Sequence, residues 1–155
     1  MPHDGSGDSA LVLSSTIEKK FPPDYRWVRR VIHELEDDLI ANGVGASDVG
    51  SIAIVLAEAL NNVVEHAFES QEEQDIRLIV RARRRSLLFE IRDKGRPMPD
   101  GRAPGGHNPM SEIRHFEALP EGGYGWFLIR ELVQDLVYDR QNGENILFFR
   151  LKLED

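Results

Sequence analysis

The sequence of 155 residues contains no cysteine. It can therefore form no disulfide, no thiolate nucleophile and no cysteine-ligated zinc site, which is compatible with the cytoplasm. No apolar run approaches the ~18 residues of a membrane span, and the amino terminus lacks the basic and apolar regions of a signal peptide. Basic residues are in deficit, since the net charge is −8, which argues against binding nucleic acid by neutralising phosphates. We expect a cytoplasmic protein that binds neither membranes nor nucleic acid.

The length and composition fit one globular domain. A chain with 41% hydrophobic and 30% charged residues can bury a core of ordinary size. Residues 1–10 are small and polar and predict a flexible tail. We predict a single domain over residues 11–155, because the sequence contains neither a linker nor an internal repeat.

The most informative stretch runs from Leu56 to Phe68 and predicts a helix with two different faces. Apolar residues recur there at steps of three and four, as on a helix face packed against a core. On another face Glu58, Asn62 and His66 follow each other at steps of four, within a stripe about 80° wide. A solvated polar face gives the same pattern, so the stripe alone does not establish a site. The apolar set is Ile52, Val55, Leu56, Ala59 and Val63.

The segments before and around this helix carry strand and capping signals. A β-prone segment from Leu11 to Ile17 predicts an edge strand. Asp24 is a suitable N-cap for a first helix that ends near Asn42-Gly43. We expect Ser47 and Asp48 to cap the second helix.

The second half of the chain predicts two β-hairpins. Ile76 to Arg83 and Leu87 to Ile91 alternate apolar and polar residues around a short basic turn, whose arginines we interpret as facing solvent. Leu136 to Tyr138 and Ile146 to Leu153 flank Gln141-Asn142-Gly143, and Asn-Gly is a strong hairpin signal. Both pairs are expected to join one sheet.

A long loop and a third helix separate the two hairpins. Residues 93–122 are rich in proline and glycine and predict a loop, with a short helix from Met110 to Phe116. Gly123 to Val133 predicts a helix with a glycine-rich start. The element order is then βααββ, loop, αββ. It predicts an α/β (α+β) two-layer sandwich, with a mixed, mostly antiparallel sheet covered on one face by three helices.

Two loop motifs have residue types suited to nucleotide chemistry. In the run from Asp93 to Pro97, an aspartate could accept a hydrogen bond from an exocyclic amine, and Gly95 would let a flat ring approach the backbone. Gly122, Gly123 and Gly125 precede the third helix and could form a phosphate cradle. An ordinary turn and an ordinary chain corner explain the same residues. The Rossmann and P-loop patterns are absent from the sequence.

Together, three segments of the sequence resemble a known superfamily. They read E-A-x-x-N-x-x-x-H-A from Glu58 to Ala67, D-x-G-x-P from Asp93 to Pro97, and G-G-x-G-x-x-L-I from Gly122 to Ile129. In this order they resemble the Bergerat ATP-binding fold of gyrases, chaperones and histidine kinases. Within it, the chain from Leu11 to Leu153 is similar to the anti-sigma factor serine kinases of bacterial partner-switching systems.

The resemblance implies roles for five residues in a site for ATP and Mg²⁺. Asn62 would bind Mg²⁺ through its side-chain oxygen. Asp93 would bind the adenine amine, with Gly95 beneath the base. Glu58 would be the catalytic base that accepts the proton of the attacking serine. His66 would support the ATP site without a catalytic role.

The resemblance also implies a lid over the phosphates that runs back to Arg102. Gly122, Gly123, Tyr124 and Gly125 would be its ATP-binding residues, and such a lid excludes water during phosphoryl transfer.

The implied function is a Mg-ATP-dependent protein serine kinase and anti-sigma factor. Its partners would be an anti-anti-sigma (STAS) protein, which it phosphorylates, and a sigma factor, which it sequesters. We also expect a homodimer, with the first helix as the docking and dimer surface and Arg30 as a residue that contacts the partner.

Three positions depart from the family pattern and leave alternatives open. Glu144 and Asn145 stand where many relatives have a threonine near the adenine-binding aspartate, and Glu121 stands where some have an arginine. An acidic Glu121 facing inward would repel a γ-phosphate, which favours an ATP-binding switch module with weak or no kinase activity. A histidine-kinase fragment that is phosphorylated on His33 is a third hypothesis, which the single preceding helix disfavours.

Overall fold

The computed structural model describes residues 16–67, 74–98 and 121–154. Within these ranges, five strands and three helices follow each other in the predicted order. The predicted tail over residues 1–10 and the predicted helix from Met110 to Phe116 lie outside the described residues. The elements are β1 (Ile17–Phe21), α1 (Tyr25–Ala41), α2 (Ala46–Ala67), β2 (Ile76–Arg83), β3 (Ser86–Asp93), α3 (Glu121–Leu132), β4 (Gln134–Gln141) and β5 (Glu144–Lys152).

The strands form one antiparallel sheet in the order β1-β2-β3-β5-β4. Both predicted hairpins are confirmed. At the β4–β5 turn, Asn142 and Gly143 have φ angles of 53° and 78°, the left-handed pair that a tight hairpin turn requires. Helix α3 lies between β3 and β4 in the chain. In the sheet, β3 is the middle strand and pairs with β5, and β4 lies at the edge.

Alternation along the central strands places one face of the sheet in the core. Leu78, Phe89 and Phe149 are fully buried on this face, and the two phenyl rings stack with centroids 5.0 Å apart. Buried residues from all three helices join them in a single cluster, which confirms the two-layer sandwich. In α2, every apolar residue that the sequence assigned to the core is buried: Ile52, Val55, Leu56, Ala59 and Val63.

The first strand extends further along the chain than predicted. It was expected from Leu11 to Ile17, of which residues 11–15 lie outside the described residues, and β1 spans Ile17–Phe21. The apolar alternation is hidden because Lys19 occupies an inward position, where its ammonium group forms ion pairs with Glu34 and Asp38 of α1. Its place at the edge of the sheet is as predicted.

Two helix starts also differ from the prediction. Asp24 caps α1 as expected, because its carboxylate accepts a hydrogen bond from the Arg26 N–H at 2.7 Å. In contrast, α2 begins at Ala46, ahead of Ser47 and Asp48, which were predicted as its caps. The buried Asp48 carboxylate instead accepts a hydrogen bond from the Glu154 N–H at 2.9 Å and so holds the end of the chain.

Helix α2 has an apolar stretch that could be mistaken for a membrane span. Its segment Ala46–His66 is long and apolar enough to cross a membrane by length and composition alone. Half of that stretch is buried inside the domain, and Val55, Leu56, Leu60 and Val64 are fully buried. The packing of a core helix therefore explains its composition.

The two faces of β5 predict different costs for the same substitution. Phe149→Ala removes a fully buried ring from the core and should cost about 3–5 kcal/mol of unfolding free energy. Phe148→Ala, on the opposite face and only partly buried, should cost less than half as much. Urea unfolding of both variants measures the difference. Equal losses would contradict a core confined to one face.

Candidate functional site

The polar stripe of α2 meets the ends of three strands at one pocket. Asn62 and His66 line this pocket from α2, and Asp93 lines it from the end of β3. Tyr138 of β4 and Asn145 of β5 complete the far wall. The structure therefore brings together an amide, an imidazole and a carboxylate that the sequence separates by about thirty residues.

The pocket is small as it stands. The cavity measures about 20 Å³, which is enough for about one water molecule, whereas ligand pockets usually measure several hundred cubic ångströms. Arg96 and Met98 line it from the segment after β3, which belongs to no helix or strand. Such segments move at lower cost than packed elements, so a purine ring can enter if this wall moves outward.

Asp93 has one oxygen occupied and one available. The Gly95 N–H and the Asn145 side-chain amide both donate to Oδ1, at 2.8 Å and 3.0 Å. No hydrogen bond to Oδ2 is found among the described residues. Burial raises the pKa of Asp93, while the Asn145 and Gly95 hydrogen bonds and the charges of His66 and Arg140 oppose that rise. The arrangement fixes the orientation of the carboxylate and leaves Oδ2 to accept a further hydrogen bond.

Asn145 organises this end of the pocket. Its side chain is 5% exposed, and it lies directly opposite Asp93 in the pairing of β3 with β5. Its Nδ2 donates to Asp93 Oδ1 and, at 2.8 Å, to the Arg96 carbonyl oxygen. Its Oδ1 accepts hydrogen bonds from the Tyr138 hydroxyl at 2.5 Å and from Arg140 Nη1 at 2.7 Å. Because both ends of the amide are satisfied, its orientation is fixed.

Sequence reasoning recorded Asn145 only as a departure from a threonine, and it did not identify Tyr138 or Arg140 as part of the site. Part of the signal that could have identified these residues is local, because the Asn142-Gly143 turn sets the register in which Arg140 faces Asn145. The other part is the pairing of β5 with β3, which joins residues 52 positions apart. The order of strands in a sheet cannot be read from local patterns.

Glu58 lies one turn before Asn62 and outside the pocket lining. Its side chain is partly buried, and no hydrogen bond or ion pair to it is found among the described residues. Its neighbour is Gly125 of α3, whose Cα side faces the Glu58 carboxylate. A carboxylate that has no polar partner among the described residues, on the same helix face as Asn62, can accept a proton from a substrate.

The glycine motif lies within α3 and not ahead of it, which corrects the prediction of a loop leading into the helix. The helix begins at Glu121, so Gly122, Gly123 and Tyr124 belong to its first turn. The N–H groups of a first turn have no partner inside the helix and can bind an anion. Gly125 lies in the second turn and is buried.

The donor atoms present fit a magnesium ion that also binds phosphates. Asn62 offers an amide oxygen and Glu58 a carboxylate one turn away, and Mg²⁺ prefers a few hard oxygen ligands completed by phosphate and water. Among the described residues, no group of three histidine or acidic side chains could hold a metal ion by itself. A metal here would thus depend on the nucleotide.

The comparison with protein families agrees with this geometry. The model of the histidine kinase-like ATPase domain matches residues 21–151, from the end of β1 almost to the end of β5. The chain belongs to this family.

Relatives of the chain include proteins named as serine-protein or serine/threonine-protein kinases. The chain is 28% identical over 143 residues to the serine-protein kinase RsbW of Oceanobacillus iheyensis, which covers 90% of this chain and 88% of the relative. It is 32% identical over 97 residues to the serine/threonine-protein kinase BtrW of Bordetella bronchiseptica, covering 63% and 66%.

Solved structures show the same fold at lower identity. The structure of the RsbU and RsbW domains of Rv1364c from Mycobacterium tuberculosis matches with a TM-score of 0.63 and 16% identity, over 90% of this chain and 32% of that one. The SiaB-SiaC complex from Pseudomonas aeruginosa matches with a TM-score of 0.58 and 15% identity, over 87% of both chains. The family's two-layer fold, as predicted from the sequence, is confirmed.

The raised pKa of Asp93 predicts that stability and ATP affinity depend on pH. Because burial raises its pKa, ionised Asp93 lowers stability above that pKa, and this penalty disappears as the pH falls below it. Oδ2 is a hydrogen-bond acceptor for the adenine amine in the ionised form of Asp93, so ATP affinity should fall at a pH where exposed carboxylates are still ionised. Calorimetric titration of ATP from pH 8 to pH 4 tests this. Affinity that stays constant to the pH of ordinary aspartates would contradict it.

Asp93→Asn should separate binding from folding. The new amide keeps an oxygen for the Gly95 and Asn145 donors but places an NH₂ group where Oδ2 stood. We expect an unchanged or higher unfolding temperature and at least a tenfold loss of ATP affinity. Asp37→Asn, at an exposed position on α1, should change neither.

Asn145→Asp tests the network with almost no change of shape. The substitution puts a second carboxylate 3.0 Å from Asp93 Oδ1, so the pKa of Asp93 should rise further. ATP affinity should fall at least tenfold at pH 7. Asn142→Asp, in the exposed turn nearby, is the matched control. Equal affinity in the two variants would contradict the role of the network.

Proposed function

We propose that this protein is a Mg-ATP-dependent protein serine kinase and anti-sigma factor. It phosphorylates an anti-anti-sigma (STAS) antagonist and, when that antagonist is absent, sequesters a sigma factor in the cytoplasm. The observation that carries the proposal is the placement of Glu58, which no other described residue pairs with, one turn from Asn62 and beside a pocket that ends at Asp93. The names of the RsbW and BtrW relatives support it.

Nucleotide recognition rests on the oriented carboxylate. Asp93 Oδ2 accepts a hydrogen bond from the adenine amine, while Gly95 packs beneath the ring. His66 lines the same pocket, and its charge opposes the rise in the pKa of Asp93, which favours the ionised acceptor. The N–H groups at Gly122 and Gly123 belong to the first helical turn, have no partner inside the helix and are suited to the phosphates.

Transfer uses a base and a metal ligand on one helix face. Asn62 would hold Mg²⁺ together with the ATP phosphates, and the ion would supply positive charge that neutralises the phosphoryl group in transfer. Glu58 accepts the proton of the attacking serine hydroxyl as its oxygen bonds to the γ-phosphorus, and ADP leaves. The half-buried position of Glu58 limits competing water.

The first helix offers a surface for partners and for a homodimer. Tyr25 and Trp27 are 42% and 39% exposed, which is unusual for large aromatic side chains. The Arg30 guanidinium lies 5.0 Å from the centre of the Trp27 ring. Exposed aromatic and arginine side chains are enriched in protein interfaces, so this end of α1 suits docking of a partner.

The assay for this proposal is transfer of labelled phosphate from ATP to a purified candidate STAS-domain antagonist. We expect label on a serine. Glu58→Gln should reduce the rate by 10²–10⁴-fold, which is the usual contribution of a general base, and leave ATP affinity within about twofold. Glu65→Gln, exposed on the same helix, should leave the rate unchanged.

The same assay separates the competing functions. ATP binding without transfer to any antagonist would favour the switch module, while acid-labile phosphate on His33 would favour the histidine-kinase hypothesis. Full transfer by the Glu58→Gln variant would contradict the assigned base.

A further inference from the structure

Gly125 and Glu58 are in direct contact across the α2–α3 interface. A Cβ atom added at Gly125 would overlap Glu58 Oε2 and lie 3.3 Å from Glu58 Cδ. The three heavy atoms nearest to that position all belong to Glu58. The backbone of Gly125 is helical, so its conformation does not require glycine. The space that excludes a side chain is therefore the space taken by the Glu58 carboxylate.

The position of Gly125 is fixed by the packing of α3. The next residue, Trp126, is 5% exposed, and Ile129 one turn later is fully buried in the core cluster. These anchors hold the helix against α2, with which it makes extensive contact. The backbone at Gly125 is accordingly held in a fixed position relative to α2.

Glu58, by contrast, has no polar anchor in the part of the chain that the structure describes. No hydrogen bond or ion pair to its side chain is found in residues 16–67, 74–98 and 121–154. A glutamate has three side-chain torsions, so it needs some restraint if it is to point in one direction. The surface of Gly125 is the restraint that the structure provides.

We propose that Gly125 is a positioning residue for the catalytic base: its bare Cα forms the wall that sets where the Glu58 carboxylate points. This inference rests on the proposed function, and it gives Gly125 a role that is distinct from contact with phosphate. It also ties the base to α3, the helix that begins with the glycine pair. The placement of the base therefore depends on where α3 packs.

The contact predicts which group moves when Gly125 is replaced by a larger residue. In Gly125→Ala the overlapping atom is the end of a flexible side chain, so the carboxylate moves and the backbone stays in place. The variant should fold, and alanine is itself a better helix former than glycine. A base displaced by about 1 Å costs on the order of 10²-fold in rate.

The test compares two glycines in helices. Gly125→Ala should lower the rate of serine phosphorylation about 10²-fold and leave ATP affinity within twofold. Gly50→Ala, where the added Cβ of α2 meets open space, should change neither. If Gly125→Ala lowers ATP affinity as much as the rate, or lowers neither, the positioning role is wrong.

A shorter base should relieve the overlap. Glu58→Asp withdraws the carboxylate from Gly125, so adding Gly125→Ala to that variant should lower its residual rate less than threefold. A full 10²-fold loss in the double variant would show that the alanine acts elsewhere, which overturns the inference.

A measurement without nucleotide keeps this inference separate from the proposed function. Carboxyl carbon NMR spectra of the two variants are compared with that of the wild type. The Glu58 resonance should be shifted in Gly125→Ala and unmoved in Gly50→Ala. An unmoved resonance in both variants would overturn the contact. If the wild type transfers no phosphate at all, the kinase proposal fails, while the NMR result still decides whether Gly125 positions Glu58.

Discussion

The structure depends on the burial of one side of α2. Val55, Leu56 and Leu60 are completely removed from solvent, and they fix the rotation of the helix about its axis. That rotation leaves Glu58 and Asn62 partly exposed along the opposite edge. The chemistry of the stripe is thus a consequence of core packing, since the helix cannot turn its polar residues elsewhere without exposing several apolar side chains.

The second constraint is a partly buried carboxylate that is costly to ionise. Asp93 sits in a desolvating site that raises its pKa, and the Asn145 amide compensates by donating to one of its oxygens. Such a group contributes little to stability by itself, and buried polar groups with perturbed pKa values are frequent at functional sites. The surrounding network, with Tyr138 and Arg140 on the amide oxygen, maintains the geometry that the fold alone would not favour.

The sequence predicted most of what local rules control. The periodicity of α2, the Asp24 cap and the Asn142-Gly143 turn each act within a few residues, and each was predicted correctly. The extension of β1 to Phe21 was not predicted, because an inward Lys19 finds its partners on α1, a tertiary contact with no local signal.

The same limit applies to the site. The stripe and the Asp93 motif could be identified from the sequence, and the structure brings Asn62, His66 and Asp93 to one pocket. The role of Asn145 and the contact of Gly125 with Glu58 could not be identified, because both arise between elements that are far apart in the chain.

The central claim is that the pocket between α2 and the sheet recognises adenine through Asp93. The most direct measurement is the affinity for Mg-ATP beside that for the triphosphate of unsubstituted purine riboside, which lacks the exocyclic amine. A site built around the Asp93 acceptor should bind ATP at least tenfold more tightly, because the analogue leaves Oδ2 of a partly buried carboxylate without its hydrogen-bond donor. Equal affinities, or no binding of ATP, would contradict the account.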